Sequence, residues 1–321
     1  MNTEIGTNLK KALTLIQSGK TVAIPTETVY GLAADANNDD AVLDIFKAKG
    51  RPTNNPLILH FATLEQALPY IDTFPEVFEQ LRQVFCPGPL TFIVQKSSLV
   101  SPHITGGQET VAIRFPKHPF LQELLLALER PIAAPSANLY GQLSPTTAAH
   151  VFEQLHDRIP YILDGGPCSE GLESTIIGIE NERVLIYRHG SITTEALANI
   201  LGYSPDSKVH EHNGVRTSGM VKHHYATHTP LFLGFKPSNE YLTALQITIG
   251  INKHIKGPHL ILSEKGTLLE AARNLYATLH QADALGVQKI YVESFPDHGL
   301  GLAMNDRLSR AAAKFLTEQK G

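Results

Sequence analysis

Three cations crowd one short segment, FKAKGRPTNNPLILH, in which Lys47, Lys49 and Arg51 surround a glycine and lead through Asn54, Asn55 and two prolines to His60. A turn stiffened by proline, in a segment that itself carries no carboxylate, makes a receptor for an anion. A solvated helix end whose lysines suit the macrodipole is the alternative. It accounts for the lysines but not for the asparagines, the prolines and His60.

Polar residues also gather directly after apolar runs. TVAIP is followed by Thr26, Glu27, Thr28 and Tyr30, VAI by Arg114, and PIAAP by Ser136 and Asn138. In α/β sheets ligands bind beyond the carboxyl ends of strands, so these segments can share one pocket. Taken singly, Thr26 and Thr28 read equally well as a turn, and Ser136 as the cap of a following helix. GGPCSEGLESTIIGI, from Gly165, brings four glycines and the pair Ser174 and Thr175. Close backbone approach to a ligand explains those glycines, and so does a hairpin loop. Arg188, after VLIY, is either a phosphate contact or a surface ion pair.

The elements that must position these residues alternate along the chain. TVAIP, PLILHF, LTFIV, VAIRF, PIAAP, YILD, STIIGI and VLIYR read as strands, and DDAVLDIFKAK, PFLQELLLALE and TTAAHVFEQL as helices opened by a polar cap or proline. Leu9, Ala12, Leu13 and Ile16 predict a first helix capped at Gly19. This is an α/β domain, with more strands than helices and a mixed sheet. A Gly-, Ser-, His- and Asn-rich tract then breaks the periodicity. Beyond it QITIGI, HLILS and KIYVES predict strands, Leu268, Ala272, Leu275, Leu279 and Ala282 share one face of a long helix, and a last helix runs from about Ala303 to Leu316.

Length and composition set the frame. At about 100 to 200 residues per domain, 321 residues favour two domains, and 42% hydrophobic content excludes disorder as a main theme. A net charge of −4 gives no general basic field for nucleic acid. Cys86 and Cys168 are too few for a disulfide scaffold, a four-cysteine zinc site or an iron–sulfur cluster. No apolar run approaches the roughly 18 residues of a membrane span, so a cytoplasmic protein is expected. GxxxxGK[ST], GxSxG and HExxH are absent, and GLGLAM near Gly299 is a poor dinucleotide fingerprint. His210, His212, His223, His224 and His228 crowd the linker, but without cysteines they make a weak case for zinc.

Together IPTETVYGLAADA, KAKGRPTNNPLILH, PGPLTFIV, VAIRFPKHP, APSANLYGQLSPT, DGGPCSEGLESTII and YRHGSI stand in the order and at the spacing of the threonylcarbamoyl-AMP synthases, the YrdC-like family. The resemblance covers about residues 5–201, with Lys49 and Arg51 as the KxR signature and Ser136 and Asn138 as the SxN signature. SGMVKHHYA and VESFPDHGLGLAMNDRLSRAA resemble the linker and C-terminal domain of the long form. The linker departs from the family by losing two prolines, at Ser218-Gly219-Met220 and after His224-Tyr225-Ala226, where Thr227 stands.

The resemblance implies a YrdC-like twisted open mixed sheet around a concave cavity over 1–201, a linker over 202–229 that reaches toward the active site, and a smaller Rossmann-like α/β domain over 230–321. It implies that L-threonine, bicarbonate and ATP give threonylcarbamoyl-AMP and pyrophosphate. The product then serves modification of the tRNA adenosine next to the anticodon, through a separate transferase complex. Thr28, His60, Arg114 and Ser174 match positions that hold threonine. Arg51, Asn55, Thr110, Ser136, Asn138, Ser144, Arg188 and Tyr225 match positions of the ATP site, and Lys49 and Arg51 form the catalytic pair. Mg2+ is expected with ATP, with no metal ligands from the chain and no tightly bound organic cofactor. Glu27 is left out of the set, since bracing its own turn accounts for it equally well. The reading of another class is a non-catalytic double-stranded-RNA-binding module, or at least a weak RNA contact, which the acidic balance disfavours. A carbamoyl-transfer domain of hydrogenase maturation is disfavoured by the missing CxxC pairs.

Overall fold

The structure is a computed structural model that describes residues 2–208, 225–235, 244–251, 255 and 257–318. The linker histidines 210, 212, 223 and 224 and the Ser218-Gly219-Met220 departure lie outside the described residues.

Eleven strands form the first sheet: β1 (Glu4–Gly6), β2 (Val22–Ile24), β3 (Gly31–Asp35), β4 (Ile58–His60), β5 (Leu90–Gln95), β6 (Thr110–Arg114), β7 (Ile132–Ala133), β8 (Tyr161–Leu163), β9 (Thr175–Glu180), β10 (Arg183–Arg188) and β11 (Asp206–Ser207). Their spatial order is β1-β8-β2-β3-β7-β4-β6-β5-β9-β10-β11, with parallel and antiparallel neighbours mixed. All eight strand runs expected in this part form. β1, β3 and β11 were not anticipated: GLAAD has no alternation because β3 is buried on both faces.

Around this sheet lie α1 (Leu9–Gln17), α2 (Asp39–Lys49), α3 (Leu64–Ala67), α4 (Glu76–Phe85), α5 (Pro102–Thr105), α6 (Pro119–Leu128), α7 (Ala148–Leu155) and α8 (Thr194–Leu201). The caps are the ones the composition favours. Asn8 and Asn38 accept from the backbone N–H of Lys11 and Ala41, and Gly50 ends α2 in the left-handed region at φ 64°. No helix follows Ser136; the next is α7, capped by Thr147. The helix-cap reading of Ser136 therefore fails, and its hydroxyl donates to Asn138 Oδ1 instead (2.5 Å).

A second, four-stranded sheet is all parallel, in the order β12 (Leu231–Phe235), β15 (Ile290–Glu293), β13 (Leu245–Thr248), β14 (His259–Ile261), and is covered by α9 (Leu268–Ala284) and α10 (Leu300–Glu318). Its core does not stop at its own elements: Val29, Leu143 and Leu172 of the first domain belong to the same buried cluster as Leu275, Tyr276 and Leu308. The two domains meet over apolar surface, which is the firm kind of contact.

Candidate active site

β4 and β6 run parallel with His60 opposite Arg114 and Ile58 opposite Ala112. Their carboxyl ends carry His60 and Arg114, while their entries carry Asn55 and Thr110. About four residues of extended chain, ~13 Å, separate the two groups. Antiparallel β7 returns along β4 and delivers Ser136 toward the entry side. One cleft lies against these central strands, lined by Thr28, His60, Arg114, Ser136, Arg188 and Tyr225 among others.

At the carboxyl end, Arg114 Nη2 donates to Glu27 Oε1 at 2.7 Å, and both side chains are buried. The backbone N–H of Lys117 donates to Glu27 Oε2 (3.1 Å). Arg114 Nε is buried without a hydrogen-bond partner among the described residues, and a buried donor of this kind calls for an acceptor. Beside it His60 Nδ1–H donates to Ile58 O (3.1 Å), which leaves Nε2 an acceptor. Burial, followed by the Arg114 charge, pushes the His60 pKa down to about 3, so the ring is neutral. Thr26 Oγ1 donates to Val29 O (2.7 Å) and lies 2.8 Å from Thr28 Oγ1, so the Thr28 hydroxyl gives its proton to Thr26 and keeps its lone pairs. The turn reading of Thr26 and the pocket reading of Thr28 thus both hold as geometry.

The entry end is built differently. Lys49, 2% exposed, donates from Nζ to Ser136 O and Asn138 O, each at 2.6 Å, and to Asn138 Oδ1 at 3.3 Å. Burial, helped by neighbouring Arg51, lowers its pKa well below the lysine range. Arg51 donates to Asn55 Oδ1 (2.7 Å), Asn55 O (3.3 Å) and Pro56 O (2.9 Å), and burial lowers its pKa to about 10. Asn138 Nδ2 donates to Leu139 O and Gln142 O. Lys47, by contrast, is exposed and faces Asp44 at 3.6 Å. In the segment read as an anion receptor, Lys49, Arg51, Asn55 and Asn138 are buried and brace the loops at 51–56 and 136–142, and Asn55 Nδ2, like Arg114 Nε, is buried without a hydrogen-bond partner among the described residues. Thr110 sits at the start of β6, two residues before the Ala112–Ile58 pair, on the same side as Asn55.

A third wall comes from β9 and β10. Arg188 Nη2 donates to Ser174 Oγ (3.0 Å) and Ser174 O (2.8 Å), and Ser174 Oγ also meets Thr91 Oγ1 at 2.7 Å. Arg188 is thus neither exposed nor in a surface ion pair. Ser144 donates to Glu173 Oε1 at 2.7 Å. Tyr225, at φ 65°, is buried in this wall, and the Ala226 N–H donates to Gly141 O (2.8 Å). Gly171 has its own explanation: at φ 71° a Cβ would stand 2.1 Å from Arg273 O on α9, so the glycine serves domain contact. Two residues were missed. Glu27 braces Arg114 across the chain rather than its own turn, and Glu173 lines the cleft as its lone carboxylate among the described residues. A single acid inside the otherwise neutral segments TETVYG and GLEST is the signal that was available for each.

Fold and cleft define the class: a two-domain α/β protein with a cleft lined by polar and charged side chains at its large mixed sheet. A family model described as "Telomere recombination", of the Sua5, YciO and YrdC proteins, matches residues 14–190. A second, "Threonylcarbamoyl-AMP synthase, C-terminal domain", matches residues 192–313. Threonylcarbamoyl-AMP synthase of Pyrococcus abyssi is 37% identical over 95% of this chain and 94% of its own, and that of Bacillus subtilis is 39% identical over 96% and 95%. The crystal structure of P. abyssi Sua5 complexed with L-threonine superposes with a TM-score of 0.87 at 36% identity, covering 97% of both chains. The chain belongs to the threonylcarbamoyl-AMP synthase family, in its two-domain form, and is a transferase. Among the described residues no helix is long and apolar enough to cross a membrane, and no three His, Cys, Asp or Glu side chains group to hold a metal ion.

Proposed function

We propose that this chain condenses L-threonine, bicarbonate and ATP to threonylcarbamoyl-AMP and pyrophosphate. The observation that carries the reading is the buried Nε of Arg114, unpartnered among the described residues, beside a neutral His60 and the Thr28 hydroxyl. That trio suits an amino acid: guanidinium for carboxylate, imidazole Nε2 and hydroxyl oxygen for ammonium or side-chain hydroxyl. P. abyssi Sua5, complexed with L-threonine, supports the choice of amino acid. Ser136, Arg188 and Tyr225 lead from this end along the cleft and suit a nucleotide, with the Lys49–Asn138 and Arg51–Asn55 braces holding the loops that meet it.

The threonine amine attacks bicarbonate-derived carbon dioxide, loses a proton and becomes a carbamate. A carbamate oxygen then bonds to the α-phosphorus in line as the bond to the β-phosphate oxygen breaks, and pyrophosphate leaves with that electron pair. Alignment and charge neutralisation suffice for this chemistry, so no covalent nucleophile is required and Cys86 and Cys168 need no role. Magnesium enters with the triphosphate as part of the substrate. The product supplies a tRNA threonylcarbamoyl-transferase complex, in the cytoplasm.

Pyrophosphate release, measured with each of threonine, bicarbonate and ATP omitted in turn, tests the proposal. Dependence on all three is expected. Salt-sensitive RNA binding without threonine-dependent release would instead favour an RNA-binding module.

A further inference from the structure

Glu173 sets a negative charge in the wall where a triphosphate is to lie, in the cleft that Arg188 and Tyr225 also line. A bare carboxylate there repels the nucleotide. Its oxygens are instead fully engaged, and mostly from the other domain. Oε1 accepts from Ser144 Oγ (2.7 Å) and Oε2 from Arg307 Nε (3.0 Å), and the single Tyr276 Oη proton is shared between the two oxygens (2.9 and 3.1 Å). Tyr276 stands on α9 and Arg307 on α10.

Arg307 is built into this spot. It is 1% exposed, its Nη1 donates to Asp306 Oδ2 at 3.0 Å, and its guanidinium carbon lies 5.4 Å from the centroid of the Tyr225 ring. That ring in turn lies 5.8 Å from the Tyr276 ring. Burial works against the Glu173 charge, yet Arg307 and then Arg188 outweigh it and hold the carboxyl at about 2.

We propose that Arg307 is the counter-ion which the second domain supplies to the cleft. By neutralising Glu173 and, with Tyr276, fixing Glu173, Ser144 and Tyr225, it makes the nucleotide end receptive to an anion only while that domain is docked. Arg307 is a positioning residue, and its role rests on the reading of this cleft as a nucleotide site. A buried acid that loses its cation is left uncompensated, which is costly; replacing both members by neutral groups is not. That asymmetry separates a counter-ion from a packing residue.

The test measures ATP and threonine affinity by titration calorimetry on the full-length chain, beside pyrophosphate release. Arg307→Met is expected to weaken ATP by ~30-fold or more while threonine changes within about twofold. Adding Glu173→Gln to Arg307→Met is expected to recover most of the ATP loss. Where Arg307→Met does not fold, Tyr276→Phe carries the test, with ATP weakened by about 3- to 10-fold and threonine unmoved. Equal weakening of both ligands, or no recovery in the double variant, overturns the proposal and leaves the wild-type reaction intact. A wild type that binds threonine but not ATP overturns the nucleotide reading itself, and the counter-ion role with it.

Discussion

The two ends of the cleft use cations in opposite ways. At the carboxyl ends of β4 and β6, Arg114 spends Nη2 on Glu27 and keeps a buried Nε without a partner among the described residues. At their entry, Lys49 and Arg51 spend their donors on Ser136, Asn138, Asn55 and Pro56. On the proposed reading the first cation keeps a donor for the ligand, whereas the second pair braces the loops at 51–56 and 136–142. Charge in a motif thus says little about contact, because a buried cation must be satisfied by something and backbone carbonyls are the commonest acceptors at hand.

The largest effect should come from Arg114. Arg114→Ala removes the carboxylate fork and strands Glu27, costing about 3–5 kcal/mol. The KM for threonine should rise by ~10²-fold or more while that for ATP stays within a few-fold; equal rises in steady-state kinetics would erase the distinction between the ends. Next comes Lys49→Ala. If Lys49 only braces, two carbonyls lose their donor at about 1–3 kcal/mol each. The melting temperature should then fall by several degrees and the KM for ATP rise together. A normal melting temperature with pyrophosphate release slowed by ~10²-fold would move Lys49 onto the reacting phosphates and make the two ends alike.

Glu27→Gln should act more mildly, raising the threonine KM by about tenfold, because Gln keeps an acceptor for Arg114 but not the charge. The smallest effect on ligand binding is a pH dependence, which acts on stability instead. His60 titrates at about 6.5 in an unfolded chain and is pushed down to about 3 when folded. As pH falls from about 6.5 toward 3 the unfolded state takes up a proton that the native state refuses, so stability drops across that window. His150, lowered to about 4 by burial and by His280, adds in the same sense. His60→Gln should reduce the loss of melting temperature between pH 7.5 and 5 by about 4–8 °C, in a thermal scan at each pH, since the proton refused by the folded state corresponds to about 2 kcal/mol at pH 5 and 1 kcal/mol to about 2–4 °C. Threonine affinity should stay flat from pH 6 to 8, since His60 does not titrate there.

Much of the fold was legible because periodicity and caps are local. DDAVLDIFKAK forms α2 over Asp39–Lys49 as expected, and Leu268 to Ala282 lie on α9. β3 escaped because a strand buried on both faces loses its alternation, and β12 because Leu231–Phe235 follows a tract without pattern. Thr28, His60, Arg114, Ser136, Arg188 and Tyr225 were legible as candidates and do meet in one cleft. Glu27 and Glu173 were not, since each gains its role from an arginine that lies far along the chain, Arg114 or Arg307.

The sequence by itself determined most of the strands and the longer patterned helices, which loops carry donors, and, through its ordered motifs, the family. Tertiary structure alone decided which donors remain for a ligand. A side chain's type fixes how many hydrogen bonds it can make, but only its buried neighbours, brought from distant segments and from a second domain, decide how many are already taken.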